Sequence, residues 1–122
     1  MGSHPINLVF RFILELCAFT AIGLWGWKQS DGLFRYVLAI GIPLLLTTIW
    51  GVFAVPNDPS RSGSAPVKVS GIVRLIVELA IFAFAIWALQ DAYFIKSSWT
   101  LAITVALHYI ISYDRIIWLI KQ

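Results

Sequence analysis

Four long apolar segments follow one another along the chain, separated by polar stretches. They cover residues 6–27, 34–55, 69–89 and 97–120. Each is about twenty residues or longer, the length of an α-helix that crosses an apolar layer of ~30 Å. Hydrocarbon offers no partners for backbone amides and carbonyls, so each segment is predicted to be helical. The pattern therefore predicts an all-α membrane protein, a bundle of four transmembrane helices.

The connections between the segments predict two helical hairpins. Residues 28–33 and 90–96 are short, and the first stretch contains the turn signal Gln29-Ser30-Asp31-Gly32. Residues 56–68 are longer and rich in Pro, Ser and Gly, which is typical of a linker. The opening Met1-Gly2-Ser3-His4 resembles a cloning remnant. The expected organisation is an N-terminal end at 1–5, a first hairpin at 6–55, a cytoplasmic linker at 56–68 and a second hairpin at 69–122.

The two hairpins resemble each other at a constant offset of 63 positions, without a gap. Arg11 aligns with Arg74 and Glu15 with Glu78, each inside an apolar segment. The matches continue into the second segment of each hairpin, where Leu38-Ala39-Ile40 aligns with Leu101-Ala102-Ile103. Two helices return the chain to its starting side, so the hairpins are predicted to be parallel repeats about an axis along the membrane normal. The alternative is that the two hairpins resemble each other only because both are rich in apolar residues.

Composition and charge support a membrane location. Of 122 residues, 60% are hydrophobic and only 12% are charged, too few to cover the surface of a soluble domain. The net charge is +3, but the basic residues flank apolar runs, so no nucleic-acid partner is predicted. Six basic residues fall on the side of the termini and the linker: Arg11, Arg61, Lys68, Arg74, Arg115 and Lys121. Three fall on the other side, Lys28, Arg35 and Lys96, which predicts that both termini are cytoplasmic.

Five short motifs carry a resemblance to a known family. They are Leu14-Glu15-Leu16-Cys17-Ala18, Leu24-Trp25-Gly26-Trp27, Ile42-Pro43-Leu44-Leu45, Trp50-Gly51-Val52-Phe53 and Val73-Arg74-Leu75-Ile76-Val77-Glu78-Leu79. The chain resembles the YrdB-like small integral membrane proteins of bacteria over most of its length. The resemblance implies a bacterial inner-membrane location, and it implies no activity because the function of that family is unknown.

Six charged side chains lie in the half of the predicted helices nearer the termini and the linker. They are Arg11, Glu15, Arg74, Glu78, Asp114 and Arg115. A charged side chain at the middle of a membrane helix costs about 2.5–3.5 kcal/mol, so these six are predicted to pair or to face inward. Three charges of each sign are expected to cancel. The expected arrangement is a cross-brace in which Arg11 and Arg74 hold Glu15 and Glu78, within and between the two hairpins.

The fourth segment carries a further polar face. Its members are Thr104, His108, Ser112 and Arg115. Their counterparts in the first hairpin are apolar or absent. His108 is expected near the membrane midplane, where it would either exchange a proton at neutral pH or serve as a hydrogen-bonded packing residue.

Pro43 interrupts the second segment. It frees the carbonyl of Ala39 and predicts a kink. Either Thr47 and Thr48, one turn later, satisfy the freed backbone groups, or the kink opens a cavity beside the polar face.

The sequence contains no nucleophile–base pair, metal-binding motif or glycine-rich phosphate loop, so an enzyme is not favoured and no cofactor or metal is predicted. The single cysteine, Cys17, excludes an internal disulfide.

The favoured function is a scaffold or accessory protein with the lipid bilayer, a bound lipid or a small apolar ligand as partner. The alternative is a proton- or ion-coupled transporter or channel that acts as a homo-oligomer through the same charges. The buried charges serve stability in the first case and conduction in the second.

Overall fold

The computed structural model of the chain describes residues 5–29, 31–55 and 66–122. The predicted cloning remnant at residues 1–4, Ser30 of the predicted turn and residues 56–65 of the predicted linker lie outside the described residues. The elements are the helices α1 (Pro5–Trp27), α2 (Phe34–Val52), α3 (Gly71–Asp91), α4 (Ile95–Ile111) and α5 (Tyr113–Ile120), and the strands β1 (Phe53–Ala54) and β2 (Val67–Lys68).

The helices have the lengths and surfaces of membrane-spanning segments. α1, α2 and α3 are each long and apolar enough to cross a bilayer, and α4 with α5 passes the same test as one span bent by 70°. The outer surface is apolar, and α2 has no fully buried residue: Ile40 and Leu44, for example, are each 62% exposed. An apolar surface of this extent is suited to lipid and unsuited to water. The described chain is mainly α-helical and resembles membrane proteins, with three or four candidate spans.

The core lies mainly between α1 and α3, where small side chains let the helices approach each other. Ala18 of α1 and Ala85 of α3 are buried, and Phe82 and Ile22 are the largest fully buried apolar residues. α4 closes the core through side chains such as Val105. α2 packs outside this group, against α1.

Two hydrogen bonds define the directions of the helices. At the start of α1, the Nδ2 atom of Asn7 donates to the Oγ atom of Ser112 over 2.7 Å. At the end of α1, the Nε1 atom of Trp25 donates to the Oδ2 atom of Asp91 over 2.8 Å. α1 and α3 therefore run in the same direction, and α4 runs back against them. We call the two ends of the bundle the Asn7 end and the Trp25 end.

The fourth apolar segment, predicted as one helix over residues 97–120, forms two helices instead. α4 and α5 meet at Ser112 and are bent by 70°. The bend turns Arg115 of α5 toward the Glu78 carboxylate of α3 and brings α5 against the backbone of Gly71. An ion pair and a close backbone contact thus stabilise the bend, and neither is visible in the hydrophobic periodicity of this segment.

Short strands replace the helix ends that were predicted beside the linker. α2 ends at Val52 rather than at residue 55, and α3 begins at Gly71 rather than at residue 69. β1 and β2 pair in parallel, with Phe53 opposite Val67. The Oγ atom of Ser70 accepts a hydrogen bond from the amide of Val73 over 3.3 Å, which caps α3 and fixes its first turn.

Pro43 lies inside α2, which continues past it as one helix. The hydroxyls of Thr47 and Thr48 donate to the carbonyls of Pro43 and Leu44, over 2.7 and 2.8 Å. The carbonyl of Ala39, which Pro43 leaves without its helical partner, instead faces α1. The expectation that the threonines satisfy this freed carbonyl is therefore wrong.

Gly23 of α1 explains why the Ala39 carbonyl can lie close to α1. A side-chain carbon added to Gly23 would come 3.1 Å from the Ala39 oxygen and 3.5 Å from Pro43 Cγ. Only glycine leaves the space for this approach, which suits a weak Cα–H···O contact to the freed carbonyl. The proline of α2 therefore packs directly against the backbone of α1.

Gly71 tests the contact between α3 and α5. A side-chain carbon at this position would overlap with the carbonyl of Leu119, so Gly71→Ala is expected to push α5 away and lower stability by about 1–3 kcal/mol. Thermal unfolding in detergent measures the loss. Gly41→Ala is the matched control, since the added carbon would meet only Val37 Cγ1 at 3.9 Å and helix propensity would favour it. A Gly71→Ala protein that melts no lower than wild type contradicts the contact.

Candidate functional site

The carboxylate of Glu78 is the centre of the polar core. It lies in the second turn of α3 and is 0% exposed. Arg115 of α5 binds it with two parallel hydrogen bonds, Nη1 to Oε1 and Nη2 to Oε2, each of 3.1 Å. A paired geometry of this kind is the strongest that a guanidinium offers a carboxylate. The bend after α4 brings the two groups together.

Two further guanidinium groups reach the same carboxylate. Arg74, one turn earlier in α3, donates from Nε to Oε2 of Glu78 over 2.8 Å. Arg11 of α1 places Nη2 at 2.7 Å from the same oxygen, as an ion pair without the angle of a directed hydrogen bond. Glu78 therefore links α1, α3 and α5 through charge.

A tyrosine completes the coordination of Glu78. The hydroxyl of Tyr109, in the last turn of α4, donates to Oε1 over 3.0 Å. Each carboxylate oxygen accordingly accepts two hydrogen bonds, from three side chains on α3, α4 and α5, and Arg11 of α1 adds an ion pair. A buried carboxylate is tolerated in a low-dielectric interior when its lone pairs are used in this way. We call Glu78, Arg11, Arg74, Arg115 and Tyr109 the Glu78 cluster.

Arg74 also binds the end of α2. Its Nη1 atom donates to the carbonyl of Trp50 and, over 2.7 Å, to the carbonyl of Phe53. Carbonyls at the C-terminus of a helix lack intrahelical partners and carry a partial negative charge, so a cation is favourable there. The face of the Trp50 ring lies 4.9 Å from Cζ of Arg74 and 5.4 Å from Cζ of Arg11, within the range of cation–π attraction. The cluster thus reaches α2 as well.

Glu15 has a weaker position than its counterpart Glu78. It pairs with Arg11 over 3.3 Å, and its side chain is 17% exposed. The cross-brace predicted from the sequence placed both glutamates in equivalent roles. The structure shows an ion pair within each hairpin, and between the hairpins it shows Arg11 with Glu78.

The six predicted charges differ in burial. Arg11, Arg74, Arg115 and Glu78 are buried, and the side chain of Glu15 is 17% exposed. Asp114, expected as the third anion of the core, lies on the exposed side of α5 because the bend turns its neighbour inward. The predicted balance of three charges against three stays a prediction.

The residues of the predicted polar face of the fourth segment do not share one environment in the structure. Thr104 donates its hydroxyl to the carbonyl of Thr100 over 2.6 Å. Ser112, at the bend, accepts from Asn7 as described above. His108 is 1% exposed, and neither ring nitrogen has a hydrogen-bond partner among the described residues. Its ring packs against Phe10 and Tyr109, with centroids 5.5 and 5.4 Å apart.

A groove of about 560 Å³ runs between α1 and α4. Apart from Leu89 of α3, one face of each of these two helices lines it, and its polar side chains are Cys17, Thr20, Lys96, Ser97, Thr100 and Thr104. The hydroxyls of Thr100 and Thr104 donate to backbone carbonyls of their own helix, which leaves the groove largely apolar. Pro43 is not part of its lining, so the proline of α2 does not open this cavity.

Sequence reasoning missed three residues of this region: Asn7, Trp50 and Tyr109. Asn7 stands four residues before Arg11, and the i, i+4, i+8 series with Glu15 is a signal that could have found it. Trp50 lies near the end of an apolar segment, and no spacing rule predicts that two guanidinium groups flank it. Tyr109 is adjacent to His108, on a neighbouring strip of α4, and only the fold brings it to Glu78.

Comparison with known proteins gives a family but no activity. Residues 9–106 match the family described as "Protein of unknown function (DUF2568)". The chain is 45% identical over 119 residues to the uncharacterized protein YrdB of Bacillus subtilis (strain 168), an alignment that covers 98% of this chain and 97% of that protein. No solved structure matches the chain significantly.

Replacement of Glu78 is expected to be far more damaging than replacement of Glu15. Glu78→Gln keeps the shape of the side chain but leaves buried guanidinium groups without their anion, a loss of about 3–5 kcal/mol. Glu15→Gln, the matched control, removes a partly exposed pair one helical turn apart and is expected to cost about 0.5 kcal/mol. Denaturant titration in mixed micelles measures both, and equal losses would contradict the central position of Glu78.

Proposed function

This chain belongs to the DUF2568 family, which supplies no activity, and we propose from its geometry that it is a non-enzymatic membrane bundle that binds one lipid chain or a similar apolar ligand. The Glu78 cluster fixes the relative positions of the helices, and the α1/α4 groove is the binding site. The ligand is drawn from the bilayer, and the site of action is the bacterial cell membrane.

The groove is the observation that carries this proposal. Its volume of about 560 Å³ falls within the range of roughly 300–1,000 Å³ that is usual for small-molecule sites. It lies on the lipid-facing side of α1 and α4, where Leu16 and Leu24 of its lining are 51% and 44% exposed. The hydroxyls of Thr100 and Thr104 are hydrogen-bonded to backbone carbonyls, so an acyl chain in the groove would contact a largely apolar lining. A ligand could therefore enter from the bilayer without crossing the core.

The Glu78 cluster supports a structural brace rather than a proton or ion path. A carboxylate that conducts must exchange partners, whereas Glu78 is 0% exposed and is held by Arg11, Arg74, Arg115 and Tyr109 together. Exchange of these partners would remove donors from a carboxylate that no water reaches, which is unfavourable for a buried charge. Transport through an oligomer is accordingly the second candidate, and no contact within the described residues favours it.

The two hairpins are proposed to be parallel repeats that cross the membrane four times. Support comes from the parallel course of α1 and α3 and from the equivalent pairs Arg11–Glu15 and Arg74–Glu78. The hydrogen bond between Asn7 and Ser112 further supports a fourth crossing, because it brings the end of α4 to the start of α1. The 17 residues of α4 span about 25 Å, close to the thickness of the hydrocarbon layer.

The groove is tested by filling it. Wild-type protein released in a mild detergent is expected to carry one bound lipid or apolar ligand by native mass spectrometry. Thr20→Phe, inside the groove, is expected to lose it, while Thr48→Phe, on exposed α2 and outside the lining, should retain it. Maleimide labelling of Cys17, which is exposed in the groove, gives a second readout, since a bound chain should slow the reaction. Identical ligand content in the two variants would overturn the proposal.

Orientation and the number of crossings are tested by thiol labelling of intact cells. In a Cys17→Ala background, Asp31→Cys lies between α1 and α2, and Gln122→Cys lies after α5. An impermeant maleimide is expected to label Asp31→Cys from outside and Gln122→Cys only after the cells are opened, as four crossings and cytoplasmic termini require. Labelling of both from outside would indicate three crossings, and the reverse pattern would indicate inverted orientation.

A further inference from the structure

The α1/α4 groove points toward two buried basic side chains at the Asn7 end of the bundle. Leu14 lines the groove on α1, and Arg11 lies three residues earlier, on the same side of that helix. Thr104 lines the groove on α4, and His108 lies one turn later. Arg11 and His108 do not line the groove and are 5% and 1% exposed. Phe10, which does line it, separates it from His108.

These two side chains hold nitrogen atoms without a partner in the described part of the chain. They are Nη1 of Arg11 and both ring nitrogens of His108. The rest of the Arg11 guanidinium is occupied, with Nε at 3.3 Å from Glu15 and Nη2 at 2.7 Å from Glu78. Buried donors that lack an acceptor are unfavourable, and the penalty is larger for a charged group. An oxygen atom that reached this position would satisfy both side chains.

The surroundings suit a head group attached to a chain. The hydrogen bond between Asn7 and Ser112 closes the seam on one side of His108. On the other side the ring of Phe10, which also lines the groove, packs on His108. The Arg11 guanidinium is a cation, so an acidic head group would bind there more strongly than a neutral one.

We propose that the groove and these nitrogens form one site for an anionic amphiphile, and this deepens the proposed function on which it rests. The acyl chain lies in the groove, and the acidic oxygens accept hydrogen bonds from Arg11 Nη1 and from a ring nitrogen of His108. Phe10 turns aside to admit the head group, which is a change of one side chain at the boundary between the apolar and polar parts. The ligand has one acyl chain in the groove and a carboxylate or phosphate head.

The charge of the head group is the variable to test. A radiolabelled C16 fatty acid and its uncharged methyl ester are titrated into the full-length protein in detergent. The acid is expected to bind about tenfold more tightly than the ester, because hydrogen bonds to a charged group are stronger. Phosphatidylglycerol and phosphatidylcholine are then added as competitors. Displacement by phosphatidylglycerol alone identifies a phospholipid as the source, displacement by neither identifies the free acid, and equal displacement by both overturns head-group recognition.

His108 supplies the matched variants, since it can be changed without loss of a hydrogen bond that the described residues make. His108→Leu is expected to remove most of the preference for the acid and to leave binding of the ester unchanged. His108→Gln, which restores a donor, should recover part of that preference. Acid and ester that bind wild type equally, with Thr20→Phe abolishing both, would overturn this inference and leave the groove proposal intact. Absence of saturable binding for either probe would overturn the groove proposal and this inference together.

Discussion

A carboxylate buried among membrane helices must be surrounded by donors, and this requirement at Glu78 determines much of the structure. Neither water nor lipid supplies a partner at that depth, so the donors have to come from the protein. Arg11, Arg115 and Tyr109 come from α1, α5 and α4, and they can meet Glu78 only if those helices hold one arrangement. Apolar packing alone gives less directional information, because lipid tails compete with apolar side chains on equal terms.

The third guanidinium group at Glu78 comes from a position at which the two hairpins differ in sequence. Positions equivalent to Arg115 and His108 in the first hairpin are Val52 and Leu45, and α2 is one continuous helix where the fourth segment bends. The second hairpin thus provides a third cation that its counterpart lacks. Arg74 in turn connects the cluster to the end of α2, so α2 is held by its carbonyl groups rather than by a charged side chain of its own. Similar sequences have therefore acquired different parts in one core.

Much of the fold follows from the sequence, and the cluster follows only in part. Apolar length predicts helices of spanning length, and the cost of charge in hydrocarbon predicts that Arg11, Arg74 and Glu78 face inward. Hydrophobic periodicity could not locate the bend at Ser112, because the contacts that stabilise it come from α3, far away in the chain. For the same reason it could not separate buried Arg115 from exposed Asp114, which are neighbours in sequence. The roles of Tyr109 and Trp50 could not be predicted without knowing which helices are adjacent. Tyr109 of α4 contacts Glu78 of α3, and Trp50 of α2 contacts Arg11 of α1 and Arg74 of α3.

The strand pair beside α2 and α3 has a mechanical consequence. β1 follows α2 directly, α3 begins three residues after β2, and the strands pair with Phe53 opposite Val67. The amide of Val69 extends the pairing by donating to the carbonyl of Ala54 over 3.0 Å. A tilt or rotation of α2 alone would break these backbone hydrogen bonds, so the C-terminus of α2 and the N-terminus of α3 are coupled and move as one unit.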